Sequence, residues 1–212
     1  MLQKPIGYDE IPEEKAMPKL PRGNYICVVK QAEEGVSQFD TSKHLIRFMI
    51  DIWEGDYQNF YATKLEHESF TDANAKWKGY IDLMLPLDQK KNETDEQLAE
   101  RTASINRFKR NIGYFEEANE GFHFDWDSPK AERQFEGLIV GVKFQPNTYD
   151  FDGKTGEWQK PKYFCSVNKI RDGSEKLLEL YDKTNKSTAA EPVKYTPKSE
   201  KKVEIKEEDL PF

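Results

Sequence analysis

The sequence predicts a mainly β domain that carries one principal α-helix. Short runs in which apolar and polar residues alternate are typical of half-buried strands, and they occur on both sides of residues 94–119. Within 94–119 the apolar residues recur at helical spacing. The chain has 212 residues but is only 36% hydrophobic and 33% charged, so part of it is predicted to lie in loops and a tail.

The first two strands are predicted from alternation. Residues 1–21 contain four prolines and no periodicity, which indicates an irregular N-terminal arm, and 22–31 begin the β pattern. In 44–53 one face is apolar and is predicted to be core: Ile46, Phe48, Ile50 and Ile52. The other face is mixed and is predicted to be half-exposed: Leu45, Arg47, Met49, Asp51 and Trp53.

The middle of the chain predicts a third strand, an insertion and the helix. Residues 54–65 are expected to turn and supply the strand, and 66–93 are interpreted as an insertion. Thr94 and Gln97 fit a capping box, which predicts that the helix begins there and spans 94–119. The polar face of this helix carries Arg107, Lys109 and Arg110.

The last part of the domain predicts a β-hairpin followed by a tail. Residues 135–145 and 162–170 alternate as strands, and 146–161 between them are expected to form a long hairpin loop. A short helix is predicted over 174–183. Residues 184–206 have little to bury and are predicted to be a disordered linker.

The order of these elements suggests a specific architecture. Five strands with a helix between the third and fourth is the order of a five-stranded OB-fold barrel, here spanning residues 22–173. Periodicity alone leaves other small β-barrels open.

Enzyme signatures are weak. The three histidines have no partner at metal-ligand spacing, and no CxxC pair, phosphate-binding glycine loop or GxSxG turn is present. We therefore predict no catalytic residue, metal site or cofactor. One enzymatic alternative stays open, a small Mg²⁺-dependent nuclease or resolvase that uses the acids Asp51, Glu54 and Asp56.

The lack of a recognisable targeting segment and the character of the two cysteines both indicate a reducing compartment. The N-terminal segment has no apolar stretch of a signal peptide, and no run approaches a membrane span, so the sequence predicts a soluble protein of the cytoplasm with no membrane partner. Cys27 and Cys165 lie in apolar strand-like runs and are predicted to be buried free thiols.

The predicted hairpin combines cations with aromatic residues. Between 143 and 171 six cations stand against three carboxylates, although the whole chain has a net charge of -7. Cations that follow phosphates and rings that stack on unpaired bases suit single-stranded nucleic acid, without sequence preference. The candidate DNA-binding residues are Arg47, Trp53, Lys143, Tyr149, Phe151, Trp158, Lys160 and Lys162, with Arg107 and Lys109 as outer contacts.

Two stretches carry a resemblance to a known family. NRFKRNIGYFEEANEGFHFDWD (106–127) and the strand–hairpin–strand of 135–173, which ends in SVNKIRDG, resemble single-stranded-DNA-binding proteins encoded by phages of Gram-positive bacteria. The resemblance implies an OB fold, sequence-independent binding of single strands, and a role in phage DNA replication or recombination in the host cytoplasm. It leaves 66–93 without a role.

The last residues carry a second resemblance. Bacterial single-stranded-DNA-binding proteins end in a disordered linker and an acidic tip that closes on proline and phenylalanine. The matching residues here are Glu207, Glu208, Asp209, Leu210, Pro211 and Phe212. This resemblance implies a partner-binding tip that recruits replication or recombination proteins. A protein-only adaptor that acts through this tip is a further alternative, and a homo-oligomer remains open.

Overall fold

The fold is organised around a five-stranded antiparallel sheet. It is a computed structural model that describes residues 3–6, 17–151 and 154–181. The strands lie in the order β3-β2-β1-β4-β5, and the outer strands β3 and β5 are not hydrogen-bonded to each other, so the sheet is not closed. The strands are β1 (Asn24–Val36), β2 (His44–Ile52), β3 (Tyr80–Met84), β4 (Ile139–Phe151) and β5 (Lys154–Cys165).

Helices occupy the connections between the strands. Helix α1 (Phe60–Ser69) lies between β2 and β3, and α2 (Asp95–Ala118) lies between β3 and β4. A 3₁₀ helix (Ala131–Phe135) precedes β4, and α3 (Val167–Arg171) follows β5. The mainly β class with one long helix is confirmed.

The core is built on the apolar face of β2, as the alternation predicts. Ile46, Phe48, Ile50 and Ile52 are all buried. Phe48 packs against Phe115 of α2 and Phe164 of β5, with ring centroids 5.7 and 5.8 Å away. The sheet and α2 therefore share one aromatic core.

The principal helix begins where the capping box predicts. The Thr94 side chain accepts a hydrogen bond from the Gln97 N–H, and the Gln97 side chain accepts one from the Thr94 N–H. Two of the N–H groups that an α-helix leaves unpaired at its start are satisfied in this way.

The prediction of a third strand at 54–65 is wrong, because a buried carboxylate starts a helix there. Asp51 accepts hydrogen bonds from the N–H groups of Tyr61 and Ala62, at 2.8 and 3.1 Å. These bonds fix the first turn of α1 and account for the full burial of Asp51, which was expected on a half-exposed face. The third strand is β3, inside the segment interpreted as an insertion.

Helix α1 is held close against the sheet at Gly79. A Cβ at this position would stand 2.5 Å from the Ile50 carbonyl oxygen and 2.6 Å from the Tyr61 ring. Trp77 donates its indole N–H to the Ile50 and Gly79 carbonyls at 3.2 and 3.0 Å. Only glycine permits this close contact between the Tyr61 ring of α1 and the backbone at residue 79, so α1 packs in one position against β2.

The residues predicted to form a long hairpin loop, 146–161, instead pair with each other as a continuous antiparallel β-ladder. β4 and β5 pair from Gly141–Cys165 to Phe151–Lys154, so 146–161 belong almost entirely to strands, and residues 152–153 lie outside the described part of the chain. Strand β4 starts at Ile139 rather than at residue 135, because Phe135 is the last residue of the 3₁₀ helix and a turn at 136–137 follows it. The predicted return strand 162–170 ends at Cys165, where Ser166 caps α3.

The described part of the segment after α3, residues 174–181, does not form the short helix predicted at 174–183. Its described part runs along β4, where the Tyr181 N–H bonds the Pro146 carbonyl at 2.8 Å and the Thr148 N–H bonds the Tyr181 carbonyl at 3.3 Å. In the N-terminal arm, 3–6 and 17–21 contain no helix or strand. The linker 184–206 and the tip 207–212 lie outside the described residues.

Candidate nucleic-acid interface

A groove of about 810 Å³ lies between β3, β5 and α2. We call it the seam groove, because it runs between the two strands that leave the sheet open. Its cationic and tyrosine side chains are Arg47, Lys78, Tyr80, Arg107, Arg110, Tyr114, Lys143, Lys160, Lys162 and Tyr163.

The seam groove is strongly basic. Among the residues that the structure describes, seven lysine or arginine side chains line it against two carboxylates, Asp82 and Glu175. Cations gathered in one concave surface raise the local positive potential. The groove is thus positive on a chain whose net charge is -7.

Helix α2 supplies one wall of the groove. Arg107, Arg110, Asn111 and Tyr114 stand at positions i, i+3, i+4 and i+7, which share one face of a helix. The face that carries Phe108, Ile112 and Phe115 is buried.

Three of the seven cations are already held by carboxylates. Arg47 forms a bidentate pair with Asp82 across β2 and β3, at 2.8 and 2.9 Å, and this hydrogen bonding raises the pKa of Arg47. Lys143 Nζ lies 2.5 Å from a carboxylate oxygen of Glu175. Lys78 Nζ lies 2.7 Å from a carboxylate oxygen of Glu68.

Other cations in the groove are available to a ligand. Arg107, Arg110 and Lys160 are exposed, and none of them forms an ion pair with another residue in the described part of the chain. Exposed, uncompensated cations attract anions without first breaking an ion pair, so these residues are the best candidates for phosphate contacts.

Aromatic rings accompany these cations. Tyr163 on β5 is 53% exposed and Tyr80 on β3 is 40% exposed. Lys162 Nζ lies 5.7 Å from the centroid of the Tyr163 ring. Exposed rings beside cations offer a stacking surface for bases together with charges for the backbone.

The structure gathers half of the predicted DNA-binding residues into the seam groove. Arg47, Lys143, Lys160 and Lys162 line it, although Arg47 and Lys143 are engaged in ion pairs. The outer contact Arg107 lies in it as well, whereas Lys109 lies on the other side of α2, beside an apolar groove.

The other predicted residues lie elsewhere. Trp158 is 39% exposed and lines a neighbouring groove. Trp53 is 45% exposed just past the end of β2, and Tyr149 is 38% exposed with its ring over Gly156 of the paired strand. Phe151 is the last residue of β4, and its side chain is outside the described part of the structure.

Sequence reasoning missed Lys78, Tyr80, Arg110 and Tyr114 as groove residues. Lys78 and Tyr80 were hidden in the segment interpreted as an insertion. The spacing of Arg107, Arg110 and Tyr114 on α2 was a usable signal, since it marks one basic and aromatic helix face.

Two of the three acids of the nuclease alternative, Asp51 and Glu54, are engaged in structural interactions, whereas Asp56 stands in the turn between β2 and α1. Asp51 caps α1, and Glu54 forms a bidentate pair with Arg171 at 3.2 and 3.1 Å. Within residues 3–6, 17–151 and 154–181, no group of three or more His, Cys, Asp or Glu side chains is placed to hold a metal ion.

The two cysteines are buried free thiols, as the sequence predicts. Burial raises the pKa of Cys165 from its ordinary value of 9.0 to about 12 and raises the pKa of Cys27 as well. Both side chains thus remain neutral thiols at neutral pH.

The chain matches no protein-family model, and no curated protein matches it significantly. Across the described ranges, no helix has the length and apolar character needed to cross a membrane.

Proposed function

We propose that this protein binds single-stranded DNA, without sequence preference, in the seam groove. The observation that carries the proposal is the meeting of uncompensated cations from α2 and β5 with exposed tyrosines from β3 and β5 in one concave surface. Three elements distant in sequence converge there, which one local charge cluster does not explain.

The chemistry favours a single strand over a duplex. Tyr80 and Tyr163 present ring area that only unstacked bases can cover, at about 1–3 kcal/mol per base. The groove cations match a backbone of phosphates, and hydrogen bonds to charged groups contribute about 1.5–3 kcal/mol each. Neither interaction distinguishes one base from another.

We further propose that the sheet is a partly open OB-fold barrel. The supporting observations are the strand order β3-β2-β1-β4-β5 and the position of α2 between β3 and β4. The outer strands β3 and β5 also approach each other, as a partly open barrel requires. In OB folds, the face of strands two and three and the loop between strands four and five bind oligonucleotides.

The proposed biological role follows the resemblance in residues 106–127 and 135–173. We propose that the protein covers and protects single strands during phage DNA replication or recombination in the host cytoplasm. The tip, residues 207–212, would recruit replication or recombination proteins, with its acids steering it to basic surfaces and its apolar end filling a pocket.

Titration of the full chain with oligonucleotides tests the proposal. The chain should bind dT oligomers of about 16 nucleotides tightly at low salt, and raising salt from about 50 to about 200 mM should weaken binding. A duplex of the same length and a mixed-sequence single strand serve as controls for strandedness and base preference. Undetectable binding of single strands at low salt, with partner proteins still captured through the tip, would instead indicate a protein-only adaptor.

A further inference from the structure

A second groove of about 440 Å³ lies between α1, β5 and residues 17–20. We call it the α1 groove. Its lining includes four lysines and two aromatic residues: Lys19, Lys64, Lys78, Lys160, Phe60 and Trp158. None of the predicted DNA contacts other than Trp158 and Lys160 falls here.

The α1 groove continues the seam groove. Lys78, Lys160 and Pro161 line both, so the two grooves meet at a junction flanked by two exposed lysines. A ligand that leaves the seam groove past this junction would meet the exposed Lys160 as it enters the α1 groove. The junction lysines come from the segment before β3 and from β5.

The lining of the α1 groove repeats the chemistry of the seam groove. Lys19 is exposed, and Lys64 Nζ lies 5.8 Å from the centroid of the Phe60 ring. Neither lysine forms an ion pair with another described residue. Trp158 supplies an indole that is 39% exposed.

The carboxylates in the α1 groove are already neutralised. Arg22 holds Glu157 with two hydrogen bonds of 2.8 and 2.5 Å, and the pair lowers the pKa of that carboxylate. Lys78 holds Glu68 at 2.7 Å. The charge left for a ligand in this groove is therefore positive.

Lys64 is held where an anion would relieve an unfavourable environment. It is half-buried, and its pKa is lowered, first by burial and then by the nearby positive charge of Lys78, against a smaller opposing effect of the Glu68 carboxylate. A phosphate between the two lysines would offset both effects. The Asp51 cap and the close contact at Gly79 keep α1 from moving Lys64 away.

We propose that the α1 groove binds a second stretch of the same single strand, with phosphates at Lys19 and Lys64 and a base at Trp158. This inference rests on the proposed function and adds a path to it. The strand runs from the seam groove, past Lys78 and Lys160, into the α1 groove.

A length series separates the two grooves. The full chain and a Lys19→Ala/Lys64→Met double variant are titrated with dT oligomers from about 4 to about 16 nucleotides. Methionine retains the unbranched apolar stem over Phe60 while removing the charge. Lys76→Ala/Lys91→Ala, which changes two exposed lysines outside both grooves, removes two charges as the matched control.

We expect the double variant to equal the parent on the shortest oligomers and to bind the longest about tenfold more weakly. Because the double variant lacks two phosphate-binding charges, the slope of log K against log salt should become shallower by about 1.4 for long oligomers only. The control should follow the parent at every length. If thermal unfolding shows that the double variant is destabilised, Lys19→Ala alone gives the same test with half the change in slope.

The outcomes distinguish the two claims. If the parent binds no single strand of any length, the proposed function fails. If the parent binds but the double variant matches it at every length, the inference about the α1 groove is overturned while the proposed function stands. An equal loss of affinity for oligomers of every length also overturns the inference about the α1 groove, because Lys19 and Lys64 would then contribute to binding of even the shortest oligomers.

Discussion

The two sides of helix α2 carry aromatic residues in opposite settings. On one side Tyr114 stands with Arg107 and Arg110 in the seam groove. On the other side Trp126 is 57% exposed, but its ring packs 5.0 Å from both Phe108 and Phe124, beside Lys109 as the lone cation of that groove's described lining. Exposure of a ring therefore does not by itself distinguish the two sides of α2; the number of cations around the ring does.

Because the two sides of α2 differ in this way, we expect substitutions on them to affect different measured quantities. Changes on the buried side should alter the free energy of unfolding, and changes on the groove side should alter DNA affinity alone. Each variant below is designed to move one quantity and leave the other unchanged, and a variant that moves both would break the separation.

The largest effect is expected from Phe115→Ala. Phe115 is fully buried, with the rings of Phe135 and Phe164 at 4.9 and 5.4 Å. Truncating a buried phenylalanine should lower the free energy of unfolding by about 3–5 kcal/mol. Urea denaturation followed by circular dichroism measures the loss. A change below about 1 kcal/mol would mean that α2 does not pack as described.

The groove side should show the opposite behaviour in an Arg107→Ala/Arg110→Ala variant. Both arginines are exposed and form no ion pair with another described residue, so removing their two phosphate contacts should weaken single-strand affinity by about 3 kcal/mol, on the order of 100-fold. Unfolding should change by no more than about 0.5 kcal/mol. Fluorescence anisotropy with a labelled dT oligomer measures the affinity. Unchanged affinity in a folded variant would remove α2 from the interface.

A pair of aromatic substitutions sharpens the comparison directly. Tyr163→Ala should weaken single-strand binding by about 1–3 kcal/mol, the contribution of one stacked base. Trp126→Ala removes a ring of similar exposure on the other side of α2 and should leave affinity unchanged. Both variants are titrated with the same dT oligomer. Equal losses would show that exposed aromatic area, rather than its charged surroundings, determines binding.

The smallest effect is a dependence of stability on alkaline pH that comes from the interior. Burial raises the pKa of Cys165 from 9.0 to about 12 and that of Tyr25 from 10.0 to about 12. The unfolded chain loses these protons first, so stability is full below pH 9 and falls as pH rises towards 12. Urea unfolding across this range measures the fall, and Cys165→Ala should flatten it. An equally steep fall in that variant would assign the effect to other groups.

Local patterns predicted much of the fold because their causes are local. The alternation of Ile46, Phe48 and Ile50 placed β2 and its buried face correctly, since side chains alternate along any strand. Thr94 and Gln97 placed the start of α2, since both partners of the capping box lie within one turn.

The prediction for the segment between β2 and β3 was wrong because the contacts that start helix α1 are not local in the sequence. Helix α1 starts where the Asp51 carboxylate reaches the N–H groups of Tyr61 and Ala62, ten and eleven positions along the chain. The aromatic residues 57, 60 and 61 favour a strand when considered without that cap. Tertiary contacts therefore override the local preference there.

The candidate site was predictable only in part for a similar reason. Lys160 and Lys162 stood out because they belong to one run of cations and aromatic residues on β5. Tyr80 and Arg110 reach the same groove from β3 and α2, and no spacing in the sequence reveals that β3 and β5 face each other. Neighbours across the open edge of a sheet follow from topology alone.

Ultraviolet cross-linking of a dT oligomer to the full chain, followed by mass spectrometry of the peptides, tests the central claim most directly. We expect cross-links at the seam groove, on the peptides that contain Tyr80, Tyr114 and Tyr163. Trp126, on the other side of α2, is the internal control and should stay unmodified. Cross-links confined to Trp126, with none on the seam-groove tyrosines, would contradict the account.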